Sequence, residues 1–208
     1  MKLPTPIQEF IYDPPVSQPR WPRHLVHILA GSAIPVGVLL LPIDLARWLL
    51  IVLSIVAVAL EAGRALLPTV NDLLIKVLPF FKPSERFQIT GATYMWLSAT
   101  LVVFAFPEDI AILALLFLAV GDPAATVIGS RDHRARLFGK SIAGTAAFAV
   151  VAVAIGAVAA LHPDIPLAWW LVPGATVAAL AELVPTPLDD NITVPLAAAI
   201  AMWLLSMV

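Results

Sequence analysis

Residues 110–129 read IAILALLFLAVGDPAATVIG. This 20-residue run holds one ionisable side chain, Asp122, set between Gly121 and Pro123. An α-helix needs an apolar run of about 20 residues to cross the hydrocarbon core of a bilayer. A carboxylate inside such a run is expensive and marks a working group. The stretch therefore sets two expectations: a membrane-spanning helix, and Asp122 with a function inside it. Glycine and proline on either side weaken the helix there, which predicts a break lining a cavity.

The rest of the chain agrees with the first expectation. Of 208 residues, 61% are hydrophobic and 12% are charged, against about half and a quarter in soluble domains. Mean hydropathy is +0.95. Apolar windows at 24–41, 45–62, 88–106, 110–129, 141–161, 167–184 and 192–208 reach or approach spanning length. They are too long and continuous for barrel strands. The expected fold is all-α, a polytopic membrane bundle of about seven transmembrane helices. Residues 1–23 form a cytoplasmic arm without the apolar core of a signal peptide. Residues 24–208 form one transmembrane domain. A net charge of −2 gives no basic balance for nucleic acid, and the absence of cysteine removes disulfides, thiolate metal sites and cysteine nucleophiles.

Basic residues orient the spans. Eleven of the twelve lysines and arginines fall before span one, between spans two and three, or between spans four and five; Arg47 is the exception. The positive-inside rule puts those loops and the N-terminus in the cytoplasm. Between spans two and three, Val70, Leu73, Leu74, Val77, Leu78 and Phe81 recur at helical spacing, with Asn71, Asp72 and Lys76 off that face. This pattern predicts a short amphipathic helix on the cytoplasmic leaflet.

With that orientation, the carboxylates near the apolar runs gather in the cytoplasmic half. Glu61 closes span two, Asp122 lies in span four, Glu182 closes span six, and Asp189 and Asp190 precede span seven. One polar pocket opening to the cytosol follows, rather than a path across the full depth. Asn191 is the expected N-cap of span seven, which leaves the adjacent aspartates free for chemistry. Pro195 is expected in the first turn. Glu85 either caps span three or faces the pocket. His24 and His27 share a face at the start of span one and read as structural residues of the interface.

The stretch GSRDHRARLFGKSIAG, residues 129–144, is the most basic. It leads into span five, whose first N–H groups favour anions. Lys140 and Ser141 are placed to touch phosphate, with Gly139 and Gly144 beside them and Arg131 or Arg136 in support. A P-loop is excluded because Arg134 stands where its first glycine belongs.

Taken in order, GDPAATVIG (121–129), GKSIAGT (139–145) and ELVPTPLDDNITVP (182–195) resemble motifs of the CTP-dependent lipid-alcohol kinases, which include dolichol kinase, phytol kinase and the CTP-using diacylglycerol kinase. RHLVHILAG, EAGR and ERFQITGATY fall where such proteins carry similar segments. The resemblance covers nearly the whole chain from Arg20. It implies transfer of the γ-phosphoryl of CTP to a lipid hydroxyl, with the active site facing the cytoplasm. The partners it implies are a lipid alcohol from the membrane, of isoprenoid or diacylglycerol type, and a cytosolic nucleotide.

Phosphoryl transfer then assigns candidate roles. Mg²⁺, or Mn²⁺ in its place, would be held by Asp122 and Asp190 together with phosphate oxygens. Asp189 and Glu182 would stand behind them or act as general base, and Asp122, Asp189 or Glu61 could serve the lipid hydroxyl. Lys140, Arg131, Arg136, Ser141, Gly139, Gly144 and Asn191 make up the nucleotide-facing set. The alternatives are CDP-lipid synthesis of the phosphatidate cytidylyltransferase type, which this family distantly resembles, and a transporter. The end signature of the cytidylyltransferases is missing, and no internal repeat supports a transporter.

Overall fold

A computed structural model describes residues 21–77, 88–132 and 136–208. Within these lie eight helices: α1 (Trp21–Leu40), α2 (Ile43–Leu66), α3 (Pro68–Val77), α4 (Gly91–Ala105), α5 (Glu108–Arg131), α6 (Ile142–Ala159), α7 (Leu171–Leu183) and α8 (Asp190–Ser206). Residues 1–20 of the expected N-terminal arm, Glu85, and the Leu78–Phe81 part of the amphipathic pattern lie outside the described residues. The helix α1 begins at Trp21, inside the stretch assigned to the arm.

The protein is an all-helical bundle, and α2, α5 and α6 are long and apolar enough to cross a membrane. The other bundle helices are apolar but shorter. Every residue from 110 to 119 is buried, so α5 forms the centre and the others pack around it. The outward face of α2, with Val52, Ile55 and Leu60, is exposed, as befits a surface solvated by lipid. Between α2 and α4 the join is polar: Ser54 Oγ donates to the Trp96 carbonyl at 3.0 Å, and Thr100 Oγ1 donates to the Leu50 carbonyl at 3.2 Å. Hydroxyls of this kind hold helices together where the hydrophobic effect offers no help. At the far end Arg47 stacks over the Phe104 ring, 5.4 Å from its centroid, which gives the one basic residue of opposite parity a cation–π partner.

The expected break at Asp122 does not occur. Helix α5 runs unbroken through Pro123. Gly121 serves packing instead: a Cβ there would lie 2.7 Å from the Phe148 ring of α6. Four and eight residues on, Ala125 and Gly129 continue the same small stripe. Gly144 of α6 sits against it so closely that a Cβ would meet the Ala125 carbonyl oxygen at 2.7 Å. Small residues at this spacing let two helix backbones approach in lipid. That tight partner packs along α5 on both sides of Pro123, where the helix continues.

Ahead of α6 the chain makes a minimal antiparallel hairpin, β1 (Arg136–Leu137) with β2 (Lys140–Ser141), an element the sequence did not announce. Phe138 and Gly139 form its two-residue turn with φ of 53° and 85°. Positive φ at both positions is the mark of a type I′ turn, and the second position is where glycine belongs. This hairpin, not a phosphate-cradling loop, is the setting of Gly139 and Lys140.

Helix α3 forms as the periodicity predicts, but one residue of its polar side, Asn71, faces the protein while Asp72 is exposed. Asn71 is buried and accepts from Arg64 Nε at 3.0 Å, while Leu73 is exposed.

Candidate functional site

The first residues of α1, α4, α6 and α8 and the last residues of α5 and α7 meet at one end of the bundle. Together with the hairpin they enclose an open cavity of about 710 Å³. Asp122, Glu182, Asp189 and Asp190 all line it, as do Gly139, Lys140, Ser141, Gly144, Arg136 and Asn191. Antiparallel alternation of the helices makes this convergence: segments far apart in sequence end at the same level.

Lys140 is the hub. Its ammonium lies 2.8 Å from Asp190 Oδ2 and 3.0 Å from Glu182 Oε1, and it also donates to the Glu182 backbone carbonyl. An ammonium has three donors, so these contacts use them all. The carbonyl belongs to the last turn of α7, whose carbonyls lack helical donors and attract cations. Burial works to lower the Lys140 pKa, but the hydrogen bonds from Asp190 and Glu182 outweigh it and raise the value above the usual 10.5. The sign follows: this pairing stabilises the fold fully below the ordinary lysine value and is lost only as pH climbs through the raised one.

Asp190 opens α8, and its neighbour Asp189 is the cap. Asp189 Oδ1 accepts from the Asn191 backbone N–H at 2.9 Å and from Asn191 Nδ2 at 2.6 Å. The expected cap at Asn191 is thus corrected by two positions, and one of the paired aspartates has a structural role. Pro195 lies in the second turn rather than the first. It leaves the Asn191 carbonyl without a helical donor, beside the cavity.

Asp122 reaches the cavity from α5 with its side chain one-third exposed, and its Oδ2 lies 3.8 Å from His27 Nε2. His24 and His27 both line the cavity. Sequence reasoning had placed these histidines in a structural role. Their i, i+3 spacing at the start of span one, level with the other polar groups, was the signal that would have placed them here.

Two predicted residues stay outside. Arg131 ends α5, is exposed, and is not among the lining residues. Glu61 belongs to a different network: it accepts from Arg64 Nη1 at 2.6 Å, Thr90 N–H at 3.2 Å, Thr90 Oγ1 at 3.0 Å and Thr93 Oγ1 at 3.1 Å. Its carboxylate thereby helps cap α4 from across the bundle, beside a separate cavity of about 420 Å³. Glu61→Gln is therefore expected to lower thermal stability by about 2 kcal/mol, since the amide weakens the contacts that the carboxylate makes to the buried Arg64 and to Thr90 and Thr93. Any turnover that the main cavity supports should remain within about twofold, measured below the unfolding temperature, because no contact in that cavity changes. A collapse of turnover in a folded variant would return Glu61 to the site.

Ser141 caps α6, accepting from the Gly144 N–H at 3.3 Å, and donates to Asp132 Oδ2 at 2.7 Å. Arg136 Nη1 donates to the Gly139 carbonyl at 3.0 Å and braces the hairpin turn. Gly144 is held by its packing against α5. These nucleotide-set residues thus carry structural contacts as well as cavity-facing positions.

Fold and cavity together define a class: a helical bundle with membrane-length helices and an acid-rich cavity at one end, organised by one lysine. The chain matches no family model, no curated protein and no solved structure.

Proposed function

We propose that the chain is a multi-pass membrane kinase that transfers the γ-phosphoryl of CTP to the hydroxyl of a lipid alcohol. One observation carries the reading: Asp122, Lys140, Glu182 and Asp190, from three helices and a hairpin, share one cavity at one end of an apolar bundle. A site that brings a water-soluble polyanion to a membrane-bound hydroxyl needs this placement. The choice of CTP follows from the resemblance of the motifs.

Among the described residues, no three Asp, Glu or His side chains converge to hold a metal ion by themselves. That donor set suits Mg²⁺, which commonly takes one or two carboxylates and completes its shell with water and phosphate oxygens. Asp122 and Asp190 would hold it, and when bound it would neutralise charge on the transferring phosphate. Lys140 would turn from Asp190 toward phosphate oxygens, an exchange of one anionic partner for another. Glu182, buried beside it, would keep the ammonium at the cavity wall.

In this reading seven helices cross the membrane and the cavity faces the cytoplasm. Eleven of the twelve basic residues fall in sequence before span one, between spans two and three or between spans four and five, which supports that sidedness. A C-terminal reporter active only outside the cytosol is the expected result; activity only in the cytosol would remove the seven-span arrangement.

The decisive experiment incubates the purified protein with γ-labelled CTP or ATP and a panel of phytol, geranylgeraniol, dolichol, undecaprenol and diacylglycerol. Label in a phosphorylated lipid is expected. Release of pyrophosphate with a CDP-lipid product would instead establish the cytidylyltransferase chemistry, and no product with any acceptor would sink both.

A further inference from the structure

We infer that the cleft between α1 and α4 is a lateral portal that holds the hydrocarbon chain of a membrane lipid whose polar end lies in the main cavity. The inference rests on reading that cavity as a lipid head-group site, and it adds which helices the chain passes between.

Three features converge on this cleft. Both helices line the cavity, yet among the described residues they do not pack along each other: α1 lies along α5, and α4 lies against α2 and α8. Four apolar residues of the cavity lining, Val26 and Ala30 of α1 and Ala92 and Met95 of α4, belong to these two helices beside His24, His27 and Thr90, whereas Lys140, Glu182 and Asp190 come from the hairpin, α7 and α8. Finally, α4 starts late. Glu61 holds its first residues five positions before the end of α2, about 7 Å short at 1.5 Å per residue. Residues 88–90 are not helical, so among the described residues the wall beside α1 is lower at the level of the cavity.

The cleft has a floor. Gly31 packs so tightly that a Cβ would lie 3.1 Å from Ala119 Cβ and 3.6 Å from Met95 Sδ. At that level α1 is seated on α5 and meets the Met95 side chain of α4. Beside the floor, Ala30 and Ala92 are exposed and small, and Val26 is 43% exposed. A chain entering from the cavity therefore cannot continue downward between the helices. It must turn sideways over Gly31 and Met95 into the surrounding lipid, which an alkyl or isoprenoid chain does without leaving apolar surroundings.

Photocrosslinking tests this without requiring turnover. The protein in nanodiscs is irradiated with a long-chain alcohol carrying a diazirine on its chain, and adducts are mapped by mass spectrometry. Adducts at Val26, Ala30, Ala92 or Met95, competed by unlabelled long-chain alcohol, are expected. Ala92→Trp should abolish these competed adducts, while Leu97→Trp, on the same helix but outside the cavity, should leave them unchanged. Adducts confined to outward residues such as Leu29 and Leu53, or adducts that no alcohol displaces, would overturn the portal. The two readings fail separately. Phosphorylated lipid without portal adducts removes the portal and leaves the kinase; competed portal adducts without phosphoryl transfer do the reverse.

Discussion

Asp190→Asn is expected to lower turnover by about 100- to 1000-fold, the scale of losing one charge-stabilising group in an active site. The fold should hardly notice. Asp189, not Asp190, caps α8, so the helix start survives. Asparagine keeps the shape and an acceptor for Lys140, and the pair it weakens is partly open to solvent, with Lys140 34% and Asp190 38% exposed. Such pairs contribute about 1 kcal/mol or less. Asp189→Asn makes the matched control: asparagine is as good an N-cap, so stability should hold, and turnover should fall less than for Asp190 because the Asp189 carboxylate already serves Asn191. Thermal unfolding and label transfer at saturating Mg²⁺ check both. Near-normal turnover of the Asp190 variant would move the reactive centre to Asp122 and Glu182.

Lys140→Ala is expected to cost both catalysis and stability. Loss of one charge-assisted contact to phosphate, about 1.5–3 kcal/mol, should reduce kcat/KM for nucleotide about tenfold to a hundredfold. Stability falls because the same ammonium ties the end of α7 to the start of α8. Without it Glu182, with a side chain only 10% exposed, loses its counter-charge. Removing one partner of a fully buried pair costs about 3–5 kcal/mol; Lys140 is one-third exposed, so about 2 kcal/mol is expected. Adding Glu182→Gln should restore most of the stability and none of the activity. A Lys140→Ala protein as stable as the parent, with unchanged nucleotide kinetics, would reduce Lys140 to an ordinary loop residue.

Much of the bundle was legible from local pattern. The apolar windows coincide with α1, α2 and α4 to α8, and Pro42 and Pro107 stand immediately before α2 and α5, where a missing N–H costs nothing. The site was legible in outline, since alternation of direction brings every second helix end to one level. Other features were not. Pro123 reads as a break, and nothing local says that α5 will continue through it with Phe148 and Gly144 packed alongside. Asp189, Asp190 and Asn191 are all good capping residues, and a shift of one or two positions decides which one is left for chemistry.

Glu61 and Glu182 mark the division most clearly. Each closes an apolar span at the same end, so sequence alone determined that both lie at one end of a bundle of apolar helices; three of those helices are long and apolar enough to cross a membrane. Burial cost and chain alternation act on every such helix and need no knowledge of its neighbours. Which of the two carboxylates meets Lys140 was decided only by tertiary structure. Neighbouring positions on a helix point about 100° apart, so the rotation of each helix about its axis selects the side chains that share a cavity. That rotation is set by shape: the small stripe of Gly121, Ala125 and Gly129 seats α6 against α5, and the Ser54 and Thr100 hydroxyls seat α2 against α4. Glu61 is thereby turned to Thr90, and Glu182 to Lys140.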